Sequence, residues 1–462
     1  MVGAGPAGLC AAKYMLKAGF EVTLYEAGSA VGGLWFYEND SGMSSAYKTL
    51  HINTDKYITQ FEDFPLPPTA SAFPHHTEMR AYLQSYADTF GLTERTQFNT
   101  LVTNVEPVVE DGGRVRWRIH DAQGGTREYD IAIVANGHLS KPRTPEFAKD
   151  FTGEYLHSHY YRDPADFVDK RICIVGAGNS ACDIAADVCV TAERTVMAVR
   201  SGVVIVPKLV LGVPITRITT KLMRMHAPPA VIQRVTKLIT RVVHGDMQRW
   251  GFKKPDRATH PTSHATLINH IAYRRVAVKP GIKKIVGRLI EFEDGTAEEF
   301  DTLIAATGYT VDLPMLSERV LPVNDEWAQL YKRVVPVDWP GLYVIGLIQY
   351  VGPLFKSFEA QSKWVVEIES GRYLLPERQV MRDANAAKQE QNRRQFHGSP
   401  RHALEEPALP YQKDLKREVA AGRLRWQRAA KGGAVPRELA LARCVEPRPG
   451  SAVGVPEESS VR

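Results

Sequence analysis

Two glycine-rich stretches carry the residues whose types and spacing could do chemistry. The first reads Gly3-x-Gly5-x-x-Gly8 and the second Gly176-x-Gly178-x-x-Ala181. Glycines at this spacing let the backbone turn tightly and approach a pyrophosphate, which sits at the positive N-terminus of the following helix. One such match is a weak signal, but each stretch here follows strand residues, opens a helix and leads to a second strand. The ends of those second strands differ in sign. Glu26 lies 18 residues after Gly8, where a carboxylate can accept from ribose hydroxyls and repels a 2′-phosphate. Arg200 lies 19 residues after Ala181, with no acid at the strand end, and a guanidinium there suits a 2′-phosphate. The first nucleotide is therefore unphosphorylated at that position, as FAD or NAD is, and the second is NADPH. A flavin beside a reduced nicotinamide is an electron-transfer pair.

The elements that must position these residues follow from pattern. In "MVGAGPAGLCAAKYMLKAGFEVTLYEA" the helix opened by the first glycine loop stops at Ala18-Gly19, and Glu21 to Glu26 has strand composition. Only Met1 and Val2 precede the loop, where a strand takes about five residues, so the spacing predicts a start further upstream. The second unit has its full first strand, Arg171 to Val175, and a second strand ending at Arg200. From Val203 to Pro261 helical periodicity mixes with Pro, Arg and Lys, which reads as a helical insertion covering a pocket in preference to lying on a membrane. "IKKIVGRLIEFEDGTAEEFDTLIAATGY" places strands around an Asp294-Gly295 hairpin turn. Beyond about Arg382 the chain turns polar and basic and ends in a Pro/Gly/Ser-rich tail with the composition of disorder.

Composition sets the outer limits. At 462 residues the chain is long enough for two or three domains with buried cores. Lys plus Arg exceed Asp plus Glu by six, too mild and too scattered for a nucleic-acid reader. Five cysteines at irregular spacings, with no C-x-x-C, point to reduced thiols and against a disulfide framework or a zinc site. With no signal peptide and no apolar run of spanning length, the reading is a soluble cytoplasmic protein.

One stretch fits none of this chemistry: "FTGEYLHSHYYRDP", Phe151 to Pro164, just before the second glycine loop. Taken alone, His157 reads as a structural histidine. With Phe151, Gly153 and Tyr161, however, it matches F-x-G-x-x-x-H-x-x-x-Y/F/W at every specified position. Here the chain closely resembles the class B flavin-dependent monooxygenases, above all the flavin-containing monooxygenase branch (N,N-dimethylaniline monooxygenase-like). In that family the segment joins the two domains and helps set how the NADPH domain meets the flavin.

The resemblance runs from the first residue to about Tyr411. "VGGLW", with Gly33, Leu34 and Trp35, resembles the flavin-contacting segment, and "LHINTDKYITQFEDFPLP" the block whose active-site asparagine falls on Asn53. Asp55 stands where the family more usually has serine or threonine. "AATGY", with Thr307, Gly308 and Tyr309, matches the return motif of the second domain. "GLIQYVGPLFKSFEAQSKW" resembles the segment flanking the isoalloxazine, with Gln349, Glu359, Gln361 and Trp364 in place. "SPRHALEEPALPYQKDL" resembles the C-terminal cap. On the NADPH side Gly176, Gly178, Asn179, Ser180, Ala181 and Arg200 are the cofactor-binding candidates; on the FAD side they are Gly3, Gly5, Gly8, Glu26, Gly33, Leu34, Trp35, Asn53, Thr307, Gly308, Tyr309 and Gln349.

The expected fold is α/β: two doubly wound Rossmann-like dinucleotide-binding domains, for FAD and NADPH, the second inserted into the first. Residues 1–150 are the first part of the FAD domain and 151–300 the NADPH domain with its insertion at about 203–261. Residues 301–382 return to the FAD domain, and 383–462 form a C-terminal cap and tail. The resemblance implies that NADPH reduces the flavin, oxygen adds to give a C4a-hydroperoxide, and a soft nucleophile (amine nitrogen or sulfide sulfur) takes one oxygen atom. Asn53 would be the catalytic residue, a neutral amide that orients the adduct without titrating. The partners are a small-molecule substrate and O2, with no nucleic acid, no metal and no integral membrane segment; a homodimer would be ordinary for that family.

Rival readings differ in what they need. Baeyer–Villiger oxidation of a ketone needs the deprotonated peroxide, and Tyr161, where the type I Baeyer–Villiger branch carries Trp, and Asn53 weigh against it. An NADPH oxidase would leak peroxide, and a disulfide reductase would need a cysteine pair. A non-catalytic remnant would lack flavin. His75-His76 reads as a loop pair with no third ligand nearby, and Lys413 to Lys431 as a solvated amphipathic helix.

Overall fold

The computed structural model describes residues 1–111, 113–255, 261–324, 327–396 and 403–431. Its helices are α1 (Pro6–Lys17), α2 (Lys56–Thr59), α3 (His76–Thr89), α4 (Asn179–Val188), α5 (Ile215–Arg224), α6 (Pro229–His244), α7 (Leu267–Ala272), α8 (Leu354–Glu369), α9 (Arg378–Phe396) and α10 (Ala408–Lys431). Two parallel sheets organise them.

The first sheet is assembled from distant pieces of the chain. Leu24–Tyr25 pairs with Thr96–Gln97, and Ala132–Val134 pairs with Leu342–Val344, both in parallel. Between them the leading strand is reduced to one residue, Val2, which bridges Tyr25 on one side and Val134 on the other. Helices α1, α3 and α8 cover this sheet, burying Leu9, Met15, Tyr82, Tyr86, Phe358 and Trp364 in one core. An antiparallel layer of Val102–Val109, Val115–Asp121 and Thr126–Tyr129 packs beside it.

The second sheet has five parallel strands in the order Val276–Lys279, Arg194–Ala198, Arg171–Val175, Thr302–Ala305, Glu154–His157. Such strands are buried on both faces and read as continuous apolar runs, as "RICIV" does. Thr302–Ala305 pairs with both Arg171–Val175 and Glu154–His157, so it belongs to this sheet and the boundary read at residue 300 falls one strand early. Only after it does the chain return to pair Leu342–Val344 with the first sheet, which makes the second domain an insertion in the first. The Asp294-Gly295 turn closes the hairpin of Leu289–Phe292 and Ala297–Glu299, as its composition predicts.

Between the two strands Ile205–Pro207 and Thr262–His264, which pair in parallel, the insertion forms α5 and α6. Among the described residues no helix is long and apolar enough to cross a membrane. Cys10, Cys173, Cys182 and Cys189 are buried thiols; Cys444 and the C-terminal tail lie outside the described residues.

Candidate functional site

The two glycine loops open onto one cavity of about 3240 Å³ that runs between the domains. At the first loop a Cβ on Gly3, where φ is +96°, would lie 2.6 Å from the carbonyl oxygen of Ala135. One on Gly8 would lie 1.9 Å from the carbonyl oxygen of Gly3. Only hydrogen fits at either place, so α1 seats its N-terminus directly against the sheet. Gly5 caps α1 with no side chain of its own bonding to the first turn, which leaves the orphan backbone N–H groups to an external acceptor. Gly8 stands behind the cavity wall as a packing residue, while Gly3 and Gly5 line it.

The second loop repeats the design. Gly176, at φ +120°, would bring a Cβ to 2.7 Å from the carbonyl oxygen of Ala306. Gly178 caps α4, again with no side-chain hydrogen bond, and Ala181 is fully buried behind Asn179 and Ser180. The Asn179 side chain accepts from the Ser263 backbone N–H at 3.1 Å, which holds the loop against the strand that follows the insertion. Arg200 is exposed at the end of its strand and lines the cavity.

Glu26 sits at the end of Leu24–Tyr25, buried and facing the same cavity. Its two oxygens accept the backbone N–H groups of Ala4 (2.8 Å) and Gly28 (2.9 Å). Burial raises its pKa, with those two backbone donors working in the opposite direction. Each oxygen keeps acceptor capacity toward the cavity.

Gly33, Leu34 and Trp35 form a single 3-10 turn against Gly5, and Thr307, Gly308, Tyr309 and Gln349 line the cavity between the loops. Thr307 donates to the carbonyl of Arg143 at 2.6 Å. Asn53 lines the cavity too, and its amide oxygen is buried with no hydrogen-bond partner among the described residues. A buried acceptor without a donor costs about 1–3 kcal/mol, and a donor on a bound group would relieve it. Cradles that exclude any Cβ, uncapped helix N-termini and an orphaned amide therefore fit two dinucleotides.

Of the segment from Phe151 to Tyr161, Ser158 lines the cavity, while Phe151, Gly153, His157 and Tyr161 do not. A Cβ on Gly153 would meet the Phe151 ring at 2.7 Å and the Asp301 carbonyl oxygen at 2.6 Å. His157 ends the edge strand, accepts from the His159 backbone N–H at 3.0 Å and meets Tyr309 edge-on at 5.4 Å. Burial holds its imidazole neutral, with a pKa down to about 4. Tyr161 is fully buried and meets Tyr47 of the first domain at 5.6 Å.

Other residues of the resembling segments have structural roles. Glu359, Gln361 and Trp364 are buried on α8 and make structural bonds: Glu359 accepts from the Glu62 N–H, Gln361 from Gly346 N–H, and Trp364 donates to Tyr373. His75 is a helix cap, accepting from Thr77 N–H and forming a capping box with Glu78, and no metal-holding cluster exists among the described residues. Further titratable residues of the cavity lie outside the spacing patterns, among them two close to the glycine loops in sequence or space. His138, in the loop after Ala132–Val134, lines the cavity with its pKa lowered by burial, and Asp183 faces it from α4. Neither belongs to a spacing pattern; only the "ANGH" turn after an apolar strand hinted at the first.

Two stacked dinucleotide-binding domains sharing one cavity define a flavoprotein oxidoreductase of the two-nucleotide class. A family model described as "Flavin-binding monooxygenase-like" matches residues 1–424. Flavin-containing monooxygenase 5 of Cavia porcellus is 31% identical over 428 residues, covering 88% of this chain and 79% of that protein. Dimethylaniline monooxygenase (N-oxide-forming) 2 of Mus musculus is 29% identical, covering 91% and 82%. Among solved structures, S-allyl-L-cysteine S-oxygenase from Allium sativum shares the fold with a TM-score of 0.68, 24% identity and 96% coverage of both chains. The chain belongs to the flavin-containing monooxygenase family, and it is an FAD- and NADPH-dependent monooxygenase.

Proposed function

We propose that the protein transfers one oxygen atom of O2 to a soft nucleophile, an amine nitrogen or a sulfide sulfur, while NADPH and a proton are consumed and water is released. The observation that carries the proposal is the orphaned amide oxygen of Asn53, buried in the cavity that joins the two glycine loops. The chemistry that bound FAD and NADPH supply is the two-electron reduction of O2, with one oxygen atom passed on and the other leaving as water.

The chain's own residues do the holding. The α1 N-terminus would receive the FAD pyrophosphate and Glu26 its ribose; the α4 N-terminus would receive that of NADPH, with Arg200 at the 2′-phosphate. Asn53 can accept and donate without titrating, so it orients its neighbour and leaves the proton in place. His138 and His157, with pKa values lowered by burial, add no acid near neutral pH. The threonine-lined faces of α5 and α6 wall the cavity against water. Buried thiols such as Cys10 and Cys173 suit a reducing compartment such as the cytoplasm.

The test is a screen of NADPH consumption against amines, sulfides and ketones, with product identified and peroxide measured. N-oxides or S-oxides in near-stoichiometric yield support the reading. Esters from ketones would move it to Baeyer–Villiger chemistry, and peroxide alone would make it an oxidase.

A further inference from the structure

Two residues after Asn53, the side chain of Asp55 is fully buried between the first domain and the insertion. Its two oxygens have different partners. Oδ1 accepts the Tyr57 backbone N–H at 3.0 Å and so caps α2. Oδ2 accepts the hydroxyl of Thr216, in the first turn of α5, at 2.6 Å. Arg217 reinforces the contact from the next position: its Nε is 3.8 Å from Oδ1, and its guanidinium lies 4.0 Å over the Tyr57 ring.

The chemistry at α5 explains why a carboxylate sits there. The helix starts after Pro214 with no side-chain cap and no acidic residue in its first turn. Its N-terminal N–H groups and dipole therefore favour an anion from outside. A serine or threonine hydroxyl at position 55 offers a single oxygen on a shorter side chain, so capping α2 and reaching Thr216 of α5 would compete for it. A carboxylate has two.

The same turn is closed tightly around Asn53. Thr59 donates to the Asp55 carbonyl at 3.1 Å, and the hydroxyls of Thr54 and Thr59 lie 2.6 Å apart. Ile52 donates to the Pro74 carbonyl at 2.9 Å. Asn53 thus sits in a short rigid turn whose link to the insertion runs through Asp55. On the other side of that link, Ile215, Thr216, Thr219 and Met223 of α5 line the cavity that Asn53 faces.

We propose that Asp55 is a positioning residue that fixes the Asn53 amide to helix α5, so that the cavity wall and the amide move as one unit. The inference rests on the Asn53 reading above. Substrate that settles against α5 would then be registered to the amide through a single carboxylate, and loosening that carboxylate would let the wall part from the amide without disturbing either glycine loop.

The experiment compares Asp55→Ser, which can keep the α2 cap, and Thr216→Val, which removes the other end of the bond, in full-length FAD-loaded protein. For each, product formed per NADPH consumed is measured with the best substrate of the screen, beside flavin content, melting temperature and the KM for NADPH. Both variants are expected to lower product per NADPH by about three- to ten-fold, with the KM for NADPH held within about two-fold. The Asp55→Ser/Thr216→Val double variant should be no worse than either single one. In an Asn53→Ala background neither substitution should add a further loss. Full coupling in both single variants, or losses that add on the Asn53→Ala background, would overturn the positioning role while leaving Asn53 in place. A fully coupled Asn53→Ala protein would instead remove the Asn53 reading and this inference with it.

Discussion

The hydroxyl of Tyr47 donates to a carboxylate oxygen of Asp183 at 2.5 Å, joining the first domain to helix α4 of the second. One turn further along α4, Asp187 accepts the Thr49 hydroxyl and, at 3.4 Å, that of Tyr161. His264 lies 3.2 Å from the other oxygen of Asp183. The domains therefore meet over two carboxylates at i and i+4, on the helix whose N-terminus carries the second glycine loop. This is the joint that the Phe151–Tyr161 segment serves, since Tyr161 packs between Tyr47 and Phe167.

The joint carries a pH signature. Burial pushes the Asp187 pKa up to about 6, the Thr49 hydroxyl works against that, and the Asp183 charge adds to it. A folded-state value above the unfolded one means the native state holds the proton more tightly. The contribution to stability is therefore full below about pH 4 and is lost as pH rises through about 6. Asp187→Asn should be neutral or destabilising at pH 4.5 and gain on the wild type by up to about 3 kcal/mol by pH 7.5. Thermal melts of both proteins at the two pH values check this; a variant that loses ground as pH rises would show the ionised carboxylate to be the favoured native form.

Gly153 tests the same joint by packing. A methyl group there meets a backbone carbonyl and an aromatic ring below 3 Å, and neither can give way cheaply because Phe151 is buried and Asp301 leads into a central strand. Gly153→Ala should cost about 1–3 kcal/mol and lower the melting temperature with little change in the chemistry of the enzyme that remains folded. An unchanged melting temperature would mean that Phe151 swings aside.

What the sequence made legible was what depends on neighbours in sequence. The glycine loops, the Asp294-Gly295 turn and the helical character of 215–244 are local patterns with local causes. Glu26 and Arg200 reach the cavity because the strand–loop–helix–strand path has nearly fixed length. Thr302–Ala305 was misplaced because "TLIA" carries no information about which sheet receives it; its partners Ile172 and Glu154 are far away in sequence. The resemblance put Glu359, Gln361 and Trp364 in place along one segment, but the face of α8 that each occupies is set by α1 and α10 packing on it. His138 and Asp183 escaped because a cavity lining is a property of the assembled domains.

Arg200 is the residue on which to test the choice between the two nicotinamide cofactors. It is exposed at the cavity rim, and the carboxyl of Glu293, held down first by its bond from Lys253, feels Arg200 only weakly. A charge-assisted contact to a 2′-phosphate is worth about 1.5–3 kcal/mol. Arg200→Ala should accordingly raise the KM for NADPH by roughly ten- to a hundred-fold and leave that for NADH nearly unchanged. Equal losses with both cofactors would take Arg200 out of the phosphate site.

Asn53→Ala is expected to separate consumption of NADPH from delivery of oxygen. The two glycine loops and Arg200 lie on other segments, so the variant should bind both nucleotides and still oxidise NADPH in air. What it loses is a buried amide whose oxygen has no partner among the described residues, and therefore the group that would hold the reactive end of the site in register. One such hydrogen bond is worth about 1–3 kcal/mol, enough to shift the balance between oxygen transfer and loss of peroxide by roughly five- to a hundred-fold. The expected protein turns over NADPH, releases peroxide and makes little oxygenated product. Peroxide and product assayed side by side, with the reductive step followed under argon by flavin absorbance, distinguish the outcomes. Unchanged product yield would show that the amide plays no part in transfer, and a collapsed reductive rate would show that Asn53 shapes the cavity before oxygen ever enters it.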